Sequence, residues 1–291
     1  MLAQFLQFLF TGITTGAAYA LAALGFTIIY NTSNVINFAQ GEFIMLGGMF
    51  STALLAAGLP MPLAIALAIV LTGVAGLIVE KLAIEPARNA EVVTLIIITI
   101  GVSLIIRGLI QVWLGKGTHA LPPFSGDVPF RIMGASLLPQ SLWVLGVALV
   151  VMLILGWFFA RTRIGKAMLA TSYNKLAAQL VGVNTKVILL LSFGLSAVLG
   201  AVGGIILAPI TYTSYDVGIM LGLKGFVAAV LGGLGGGVGA IAGGLILGIA
   251  EAMAAGYISS SYKDAVPFIL ILLILFFRPG GLFGAKLTER V

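Results

Sequence analysis

The chain has 291 residues, of which 60% are hydrophobic and only 8% charged, and its mean hydropathy is +1.19. Soluble domains are about 45–50% apolar and about 25% charged, so this composition excludes a soluble domain, and intrinsic disorder is excluded because it requires low hydrophobicity. Cysteine is absent and His119 is the single histidine, which excludes disulfides, thiolate metal sites and two-histidine metal sites. The composition predicts an all-α polytopic membrane protein.

Nine apolar stretches predict eight to ten membrane spans, since a spanning helix needs about 20 mostly apolar residues. The first stretch has no charged residue before Glu42. It therefore lacks the basic region of a secretory signal, and we expect it to be retained in the membrane. The last stretch is short and needs flanking residues or a locally thin bilayer. The stretches are 5–30, 43–59, 63–80, 92–114, 142–160, 187–208, 217–234, 238–258 and 265–277.

The net charge of +6 is explained by cytoplasmic loops, where Lys and Arg accumulate, without a nucleic-acid partner. One side of the predicted topology holds ten of these residues: Lys81, Arg88, Arg161, Arg163, Lys166, Lys175, Lys186, Arg278, Lys286 and Arg290. The other side holds four: Lys116, Arg131, Lys224 and Lys263. With nine spans, the N-terminus is then outside and the C-terminus inside.

Two further features fit this topology. We expect Arg107, inside a span, to extend its side chain toward the outer surface. The outer loop 115–140 holds four prolines, which favour extended, turn-rich structure over another span.

Polar amides interrupt the first apolar region at every third position, at Asn31, Asn34, Asn37 and Gln40. In a 3₁₀ turn they would share one face, and neutral amides that donate and accept hydrogen bonds suit a zwitterionic or amide-bearing solute. The alternative is a plain polar turn between two helices. Glu42 at the start of the next helix either belongs to the same path or interacts with that helix's N-terminal dipole.

Glycines interrupt a second apolar region, from Gly225 to Ala240 and on to Gly248, with Gly232 and Gly235 in its densest part. Overlapping pairs of small residues four apart indicate close helix packing, and a mobile hinge is the functional alternative. Both interrupted segments begin Gly-Phe, at Gly25 and Gly225. Gly-interrupted segments in corresponding halves point to a transport path between repeats, so the pattern suggests two weakly related halves.

Glu251 lies in the middle of a predicted span. A buried acid at that depth is costly and often functional. It either contacts the solute or fixes helix packing. Glu42, Arg107 and Glu251 are the ionisable groups that we place in or near spans. They form no evident proton relay.

The cytoplasmic loop 161–186 contains a short amphipathic segment. We expect Ser172 to cap a helix whose Leu176, Ala177, Leu180 and Val181 share one face, and Gly182 to end it. Such a helix either lies on the membrane surface or enters a groove on a partner protein.

Five motifs, in order and with comparable spacing, together resemble the LivH-type branched-chain amino acid permeases over nearly the whole chain. They are Val35-Ile-Asn-Phe-Ala-Gln-Gly-Glu42, Arg163-Ile-Gly-Lys-Ala-Met, Leu176-Ala-Ala-Gln-Leu-Val-Gly182, Lys224-Gly-Phe-Val-Ala-Ala-Val-Leu-Gly-Gly233 and Arg278-Pro-Gly-Gly-Leu-Phe-Gly284. The third resembles the Glu-Ala-Ala-x-x-x-Gly loop of ABC-importer permeases. This chain has Gln40 where that family usually has His, and Leu176 in place of the Glu.

The resemblance implies a type II-like ABC importer permease in the bacterial inner membrane. Residues 1–291 would form a single transmembrane domain, paired with a second, similar permease and two cytoplasmic ATPases, and supplied by an extracytoplasmic solute-binding protein. The coupling helix would involve Tyr173, Asn174, Ala177, Ala178 and Gly182. No cofactor would bind this chain, and ATP and Mg would be used by the partner subunits.

The absence of a G-x-x-x-x-G-K-[ST] phosphate loop agrees with ATP binding on another polypeptide. We predict alternating access around a path or inner gate formed by Asn31, Asn34, Asn37, Gln40, Glu42, Gly232, Gly235 and Glu251. A channel or secondary carrier for urea or short amides is the alternative, because it would share the polar stripe. An intramembrane enzyme is disfavoured, since no Ser–His or Cys–His pair is evident at membrane depth.

Overall fold

Apolar sequence dictates helices here, because backbone polar groups in a bilayer must be satisfied within the same segment. The structure, a computed structural model, describes residues 1–284. Its helices are α1 (Leu2–Ser33), α2 (Gln40–Ala56), α3 (Met61–Val79), α4 (Val92–Leu114), α5 (Pro139–Arg161), α6 (Arg163–Tyr173), α7 (Lys175–Leu180), α8 (Thr185–Thr211), α9 (Val217–Gly232), α10 (Gly237–Tyr257) and α11 (Val266–Phe277). A π-helical turn (Glu80–Ile84) extends α3, and a 3₁₀ turn (Ser260–Ala265) precedes α11.

Within the described residues, seven helical segments are long and apolar enough to cross a membrane, counting α3 with its π turn and α11 with its 3₁₀ turn. The shorter α2 and α9, of 17 and 16 residues, adjoin the two interruptions. Together they account for the nine predicted stretches and confirm a helical polytopic fold. The second interruption is much shorter than predicted. Glycine is tolerated inside membrane helices, so α9 continues through Gly225 to Gly232 and the break is confined to residues 233–236.

Small residues set the centre of the bundle, where α1 packs along α10 and α8, and α2 packs against α8 and α9. A Cβ added to Gly16 of α1 would lie 2.9 Å from Leu245 Cα, and one added to Gly244 of α10 would lie 2.8 Å from Ala20 Cβ. Backbones this close gain dispersion contacts where lipid provides no hydrophobic driving force between helices. The small-residue spacing is therefore used for close packing.

The two ends of the bundle differ in structure. At one end, strands β1 (Phe130–Ile132) and β2 (Ala135–Leu137) form an antiparallel hairpin, and His119 pairs with Thr213. The loop 115–140 is thus extended, as predicted. At the other end lie α6 and α7, the π turn and the α9–α10 turn. The three basic segments meet at this second end, which agrees with its assignment to the cytoplasm, although Lys286 and Arg290 lie outside the described residues.

Two charged residues lie elsewhere than we predicted. Lys224, which we counted among the basic residues of the outer side, lies inside α9 with its side chain 8% exposed. Arg107 does not reach for the outer surface but turns toward Glu42 on α2. In both cases a carboxylate at the same depth offers a stronger partner than distant water. The charge bias that sets the orientation keeps its sign without Lys224.

The segment after α11 folds back on the end of α9. The amide of Leu282 donates to the carbonyl of Leu231 at 2.9 Å, and that of Phe283 donates to Gly232 at 3.1 Å. Gly281 makes the turn with a φ of 81°. These bonds satisfy carbonyls that the end of a helix leaves free.

The close α1–α10 contact yields a stability prediction. Gly244→Leu forces these backbones apart, and overpacking costs about 1–3 kcal/mol. We therefore expect a lower unfolding temperature in detergent, measured by size-exclusion chromatography of heated samples. The matched control is Gly146→Leu on α5, where an added Cβ meets nothing within 4 Å. Equal unfolding temperatures for the two variants would contradict this packing.

Candidate functional site

The first interruption is a turn rather than a continuous helix. Asn34 ends α1 in the left-handed region, with a φ of 57°, and its amide donates to the Tyr30 carbonyl at 2.7 Å. Asn residues are enriched in that conformation. Asn37 Oδ1 accepts from the Ala39 amide at 3.1 Å. The chain thereby reverses within six residues, and α2 begins inside the bundle.

Gln40, the first residue of α2, is fully buried. Its Nε2 donates to the Ser196 carbonyl at 3.1 Å. The Ser196 hydroxyl on α8 lies 2.6 Å from Gln40 Oε1 and 2.9 Å from the Gly25 carbonyl, so its one proton serves either acceptor. Gly25 is required here, because an added Cβ would come 2.8 Å from Gln40 Cδ. The side-chain amide thus ties together α1, α2 and α8.

The two interruptions meet at the cytoplasmic end. Asn31 Nδ2, in the last turn of α1, donates to the Gly235 carbonyl in the α9–α10 break at 3.0 Å. Gly233 and Gly235 have φ values of 99° and 100°, a region that favours glycine. Gly232 and Gly239 pack backbone to backbone across the turn. The sequence predicted two broken segments, and the structure brings them into contact.

A buried ion pair, which we call the α2–α4 pair, lies near the middle of the bundle. Glu42 Oε1 accepts from Ser103 at 2.7 Å and from Arg107 Nη2 at 2.8 Å. Thr99, Ser103 and Arg107 recur every four residues on α4, and Thr99 accepts from the Phe38 amide. Glu42 Oε2 and Arg107 Nε are buried without a partner among the described residues. The pair therefore keeps unused hydrogen-bonding capacity between α2 and α4.

A second charged cluster, which we call the lysine cluster, lies toward the outer end. Lys224 Nζ on α9 donates to Glu251 Oε1 on α10 at 2.6 Å and to Asp264 Oδ1 in the 3₁₀ turn at 2.7 Å. The Tyr19 hydroxyl on α1 donates to Glu251 Oε2 at 2.9 Å. Asp264 is half exposed, whereas Lys224 and Glu251 are buried. One cation thus bridges a buried and a water-accessible carboxylate.

On the cytoplasmic face, α7 is a separate short helix that projects apolar side chains. Asn174, not Ser172, caps it, by accepting from the Ala177 amide at 2.9 Å; Ser172 instead bonds back to Leu169 because it lies within α6. Gly182, with a φ of 90°, ends the α7 region as predicted. Tyr173, Leu176, Leu180 and Val181 are between 68% and 88% exposed.

Ala177 shares the exposed face of α7, but Ala178 is buried against the chain. We call the exposed set of Tyr173, Leu176, Leu180 and Val181 the α7 ridge.

The predicted amide stripe does not form one face. Asn31 and Gln40 are bonded to the protein, Asn34 is an exposed helix end, and only Asn37 keeps a buried Nδ2 without a partner among the described residues. The side-chain amides of Asn31, Asn37 and Gln40 form hydrogen bonds with backbone groups of the protein and so do not line a common surface. Glu42 and Glu251 lie in separate clusters.

Four members of the charged clusters were not predicted from the sequence: Lys224, Asp264, Tyr19 and Ser103. For Lys224 a signal was present, because it falls within the apolar stretch 217–234.

The family model for "Branched-chain amino acid transport system / permease component" matches residues 8–275. The chain belongs to this permease family. LivH of Escherichia coli (strain K12), named as a high-affinity branched-chain amino acid transport system permease protein, is 36% identical over 99% of this chain and 98% of its own length. BraD of Pseudomonas aeruginosa, which carries the same description, is 34% identical over the same shares of the two chains.

Among solved structures, PsaBC from Streptococcus pneumoniae in complex with Fab has a similar fold. The TM-score is 0.54 with 16% sequence identity, over 96% of this chain and 97% of that chain. This member of the branched-chain permease family therefore has a multi-pass helical membrane fold. This member is a transport subunit of the inner membrane and not an enzyme.

The α2–α4 pair yields a second prediction. Arg107→Leu leaves the Glu42 charge buried without its partner, so we expect the free energy of unfolding to fall by on the order of 3 kcal/mol, measured by denaturant titration in detergent. The double variant Glu42→Gln, Arg107→Leu removes both charges and should recover much of this loss. Arg131→Leu in the exposed outer hairpin is the control. A double variant no more stable than Arg107→Leu would exclude an energetic link between the two side chains.

Proposed function

We propose that this chain is the permease subunit of an ABC importer that takes up branched-chain or related small neutral or zwitterionic amino acids. The observation that carries the proposal is the similarity to LivH over nearly the full length of both chains. The motifs that link sequence to the family also coincide with the buried centres: Gln40 and Glu42 begin α2, Lys224 lies in α9, and Gly232 ends it.

Separate ATPase subunits bind the α7 ridge and supply the free energy of ATP hydrolysis that drives transport. Apolar side chains more than two-thirds exposed on a short helix are typical of a helix that fits a partner's groove. Asn174 and Gly182 fix the two ends of this helix, while Ala178 packs inward and positions it. Ala177 lies on its exposed side, and Tyr173, the exposed last residue of α6, adjoins it. ATP and Mg are bound by the partner subunits in this proposal, and this chain transmits the motion.

Transport proceeds by alternating access: the path opens in turn to the cytoplasm, at the two interruptions, and to the outside, near the lysine cluster. The Asn31–Gly235 contact supports an inner gate, since it joins both broken segments at the end that carries α7. Irregular backbone at membrane depth is tolerated only beside protein or water. The lysine cluster, with Glu251 buried and Asp264 reaching water, suits the outer side of the same path. Asn34, Asn37, Gln40, Glu42 and Gly232 complete the proposed path and gate.

The remaining partners belong to the same proposal. A second, similar permease faces this chain across the path, and two ATPases bind the cytoplasmic end. A solute-binding protein delivers the amino acid to the outer end, where the hairpin and the lysine cluster lie. The two weakly related halves, predicted from the Gly-Phe pairs at Gly25 and Gly225, remain a prediction.

The coupling proposal is tested at Leu180, which is 81% exposed. Leu180→Asp places a charge in the proposed apolar groove, and we expect uptake and solute-stimulated ATP hydrolysis by the reconstituted importer to fall at least tenfold. The fold should be unaffected, because the side chain makes no buried contact within the chain. Leu180→Met is the conservative control and should retain both activities. Coupled uptake that survives Leu180→Asp would remove the α7 ridge from the mechanism.

A passive channel or secondary carrier for urea or short amides is distinguished by reconstituting the purified chain alone in liposomes. We expect no accumulation of leucine against a gradient. Without a phosphate loop the chain cannot use ATP, and an ion gradient should not replace ATP because Glu42 and Glu251 are each already paired with a cation. Adding the ATPases, the second permease and the solute-binding protein should restore ATP-dependent accumulation. Concentrative uptake by the chain alone would overturn the proposal, and rapid urea equilibration without leucine uptake would favour the channel.

A further inference from the structure

A polar cleft of about 340 Å³ opens at the cytoplasmic end, between the π turn, α7 and the start of α8. It lies apart from the α2–α4 pair and the lysine cluster, so the proposed path does not use it. The residues that line it include Glu80, Arg88, Lys175, Gln179, Lys186 and Leu189. A volume of this size accommodates a small molecule.

Both signs of charge line the cleft. Glu80 is 2% exposed, and within residues 1–284 no ion pair or side-chain hydrogen bond engages its carboxylate. Arg88, Lys175 and Lys186 are exposed around it and form no ion pair within the same described range. The cleft thus has an anionic floor and a cationic rim.

Glu85 also borders the cleft but is already engaged. Lys81 donates to it at 2.6 Å, and this hydrogen bond, together with the charges of Lys81, Lys186 and Arg88, lowers the pKa of the Glu85 carboxyl. The pair is solvated and lies along one side of the π turn. Glu80 is therefore the carboxylate available to a ligand.

The charge arrangement selects the class of ligand. A simple anion would meet the Glu80 carboxylate, and a simple cation would have to pass three basic side chains. A small molecule with an ammonium and a carboxylate a few ångströms apart satisfies both, because charge-assisted hydrogen bonds to each group are the strong ones. Leu189 adds apolar surface for a side chain. The headgroup of phosphatidylethanolamine carries the same two charges.

The position of the cleft links it to the coupling helix. Lys175 and Gln179 belong to α7, and Gln179 Nε2 donates to Thr185 Oγ1 on α8 at 2.7 Å. Glu80 begins the π turn, in which the Glu85 amide donates to the Glu80 carbonyl at 2.7 Å. Single π turns occur frequently at functional sites. A ligand in the cleft would connect α3 to α7.

We infer that this cleft binds a free zwitterionic α-amino acid from the cytoplasm, so that the product of uptake restrains α7 and slows further import. The regulatory part rests on the proposed function, whereas the binding site stands on the cleft itself. Glu80 receives the ammonium group, and Arg88, Lys175 and Lys186 receive the carboxylate.

The binding test uses the full chain in phosphatidylcholine nanodiscs, without partners, and radiolabelled leucine in equilibrium dialysis. Glu80→Gln and Arg88→Ala should each weaken binding about tenfold or more, since each removes a charge-assisted hydrogen bond. 4-Methylpentanoate and isopentylamine, which are leucine without its ammonium and without its carboxylate group, should not compete at a hundredfold excess. Glu91→Gln and Arg161→Ala, outside the cleft, are the matched controls. If Glu80→Gln does not fold, leucine binding by Arg88→Ala decides the test.

Leucine binding that is unchanged in both cleft variants, or absent in the wild type, overturns the inference. Competition by 4-methylpentanoate alone also overturns it, because the site would then be a simple anion site. A lipid source is tested in discs that contain phosphatidylethanolamine: its retention by wild-type chain but not by Glu80→Gln, with no leucine binding in either disc, assigns the headgroup and rejects the free amino acid.

The regulatory part is measured in the assembled importer. Leucine loaded inside proteoliposomes should slow initial uptake at least twofold in the wild type and leave Glu80→Gln unaffected. Equal inhibition of both would reject the regulation while leaving the binding result intact. An assembly that transports no amino acid would reject the proposed function, and the dialysis result would still decide whether the cleft binds leucine.

Discussion

Hydrogen bonding of the backbone at membrane depth is the constraint on which this structure depends. A buried donor or acceptor without a partner costs several kcal/mol in a medium that lacks water, yet the chain breaks its helices at residues 34–39, inside the bundle, and at residues 233–236, at its cytoplasmic end. At the first break, the backbone amides of residues 35, 38 and 39 donate to the side chains of Ser33, Thr99 and Asn37. At the second, glycines allow two backbones to approach, and Asn31 from the first break donates to Gly235. Each break is therefore completed by other parts of the chain.

The same constraint explains where the charges lie. Glu42 and Glu251 are each accompanied by a cation from a neighbouring helix, Arg107 or Lys224, because an isolated carboxylate would be far more costly. The α2–α4 pair joins two helices that share few other contacts, whereas α9 and α10 also pack closely along their length. Helix α4 is mostly exposed along its length and faces α2 with a row of Thr99, Ser103 and Arg107. A polar row of this kind fixes the rotation of a helix that apolar contacts alone would leave free to turn.

The helical fold, the two interruptions and the exposed face of α7 could be predicted from the sequence, because each depends on local features: length, hydropathy, glycine spacing and amphipathic period. Prediction failed where a residue's partner is distant in the chain. Arg107 was expected to reach outward because its partner lies 65 positions earlier. Lys224 was counted among the basic residues of the outer side although it falls within an apolar stretch, since a count of basic residues does not register burial. The amides were expected to form one surface because periodicity does not show which of them the turn itself consumes.

The last span is held by the residues after it as well as by its own side chains, of which Leu270 and Ile271 pack against the core. Helix α11 is largely exposed along its length, but the segment beyond it donates two hydrogen bonds to the end of α9 and turns at Gly281. This segment works as a clasp, and we expect that shortening the chain through it would loosen the packing of its final crossing on α9. A fluorescent protein or affinity handle is accordingly best joined beyond residue 284, where the clasp stays closed.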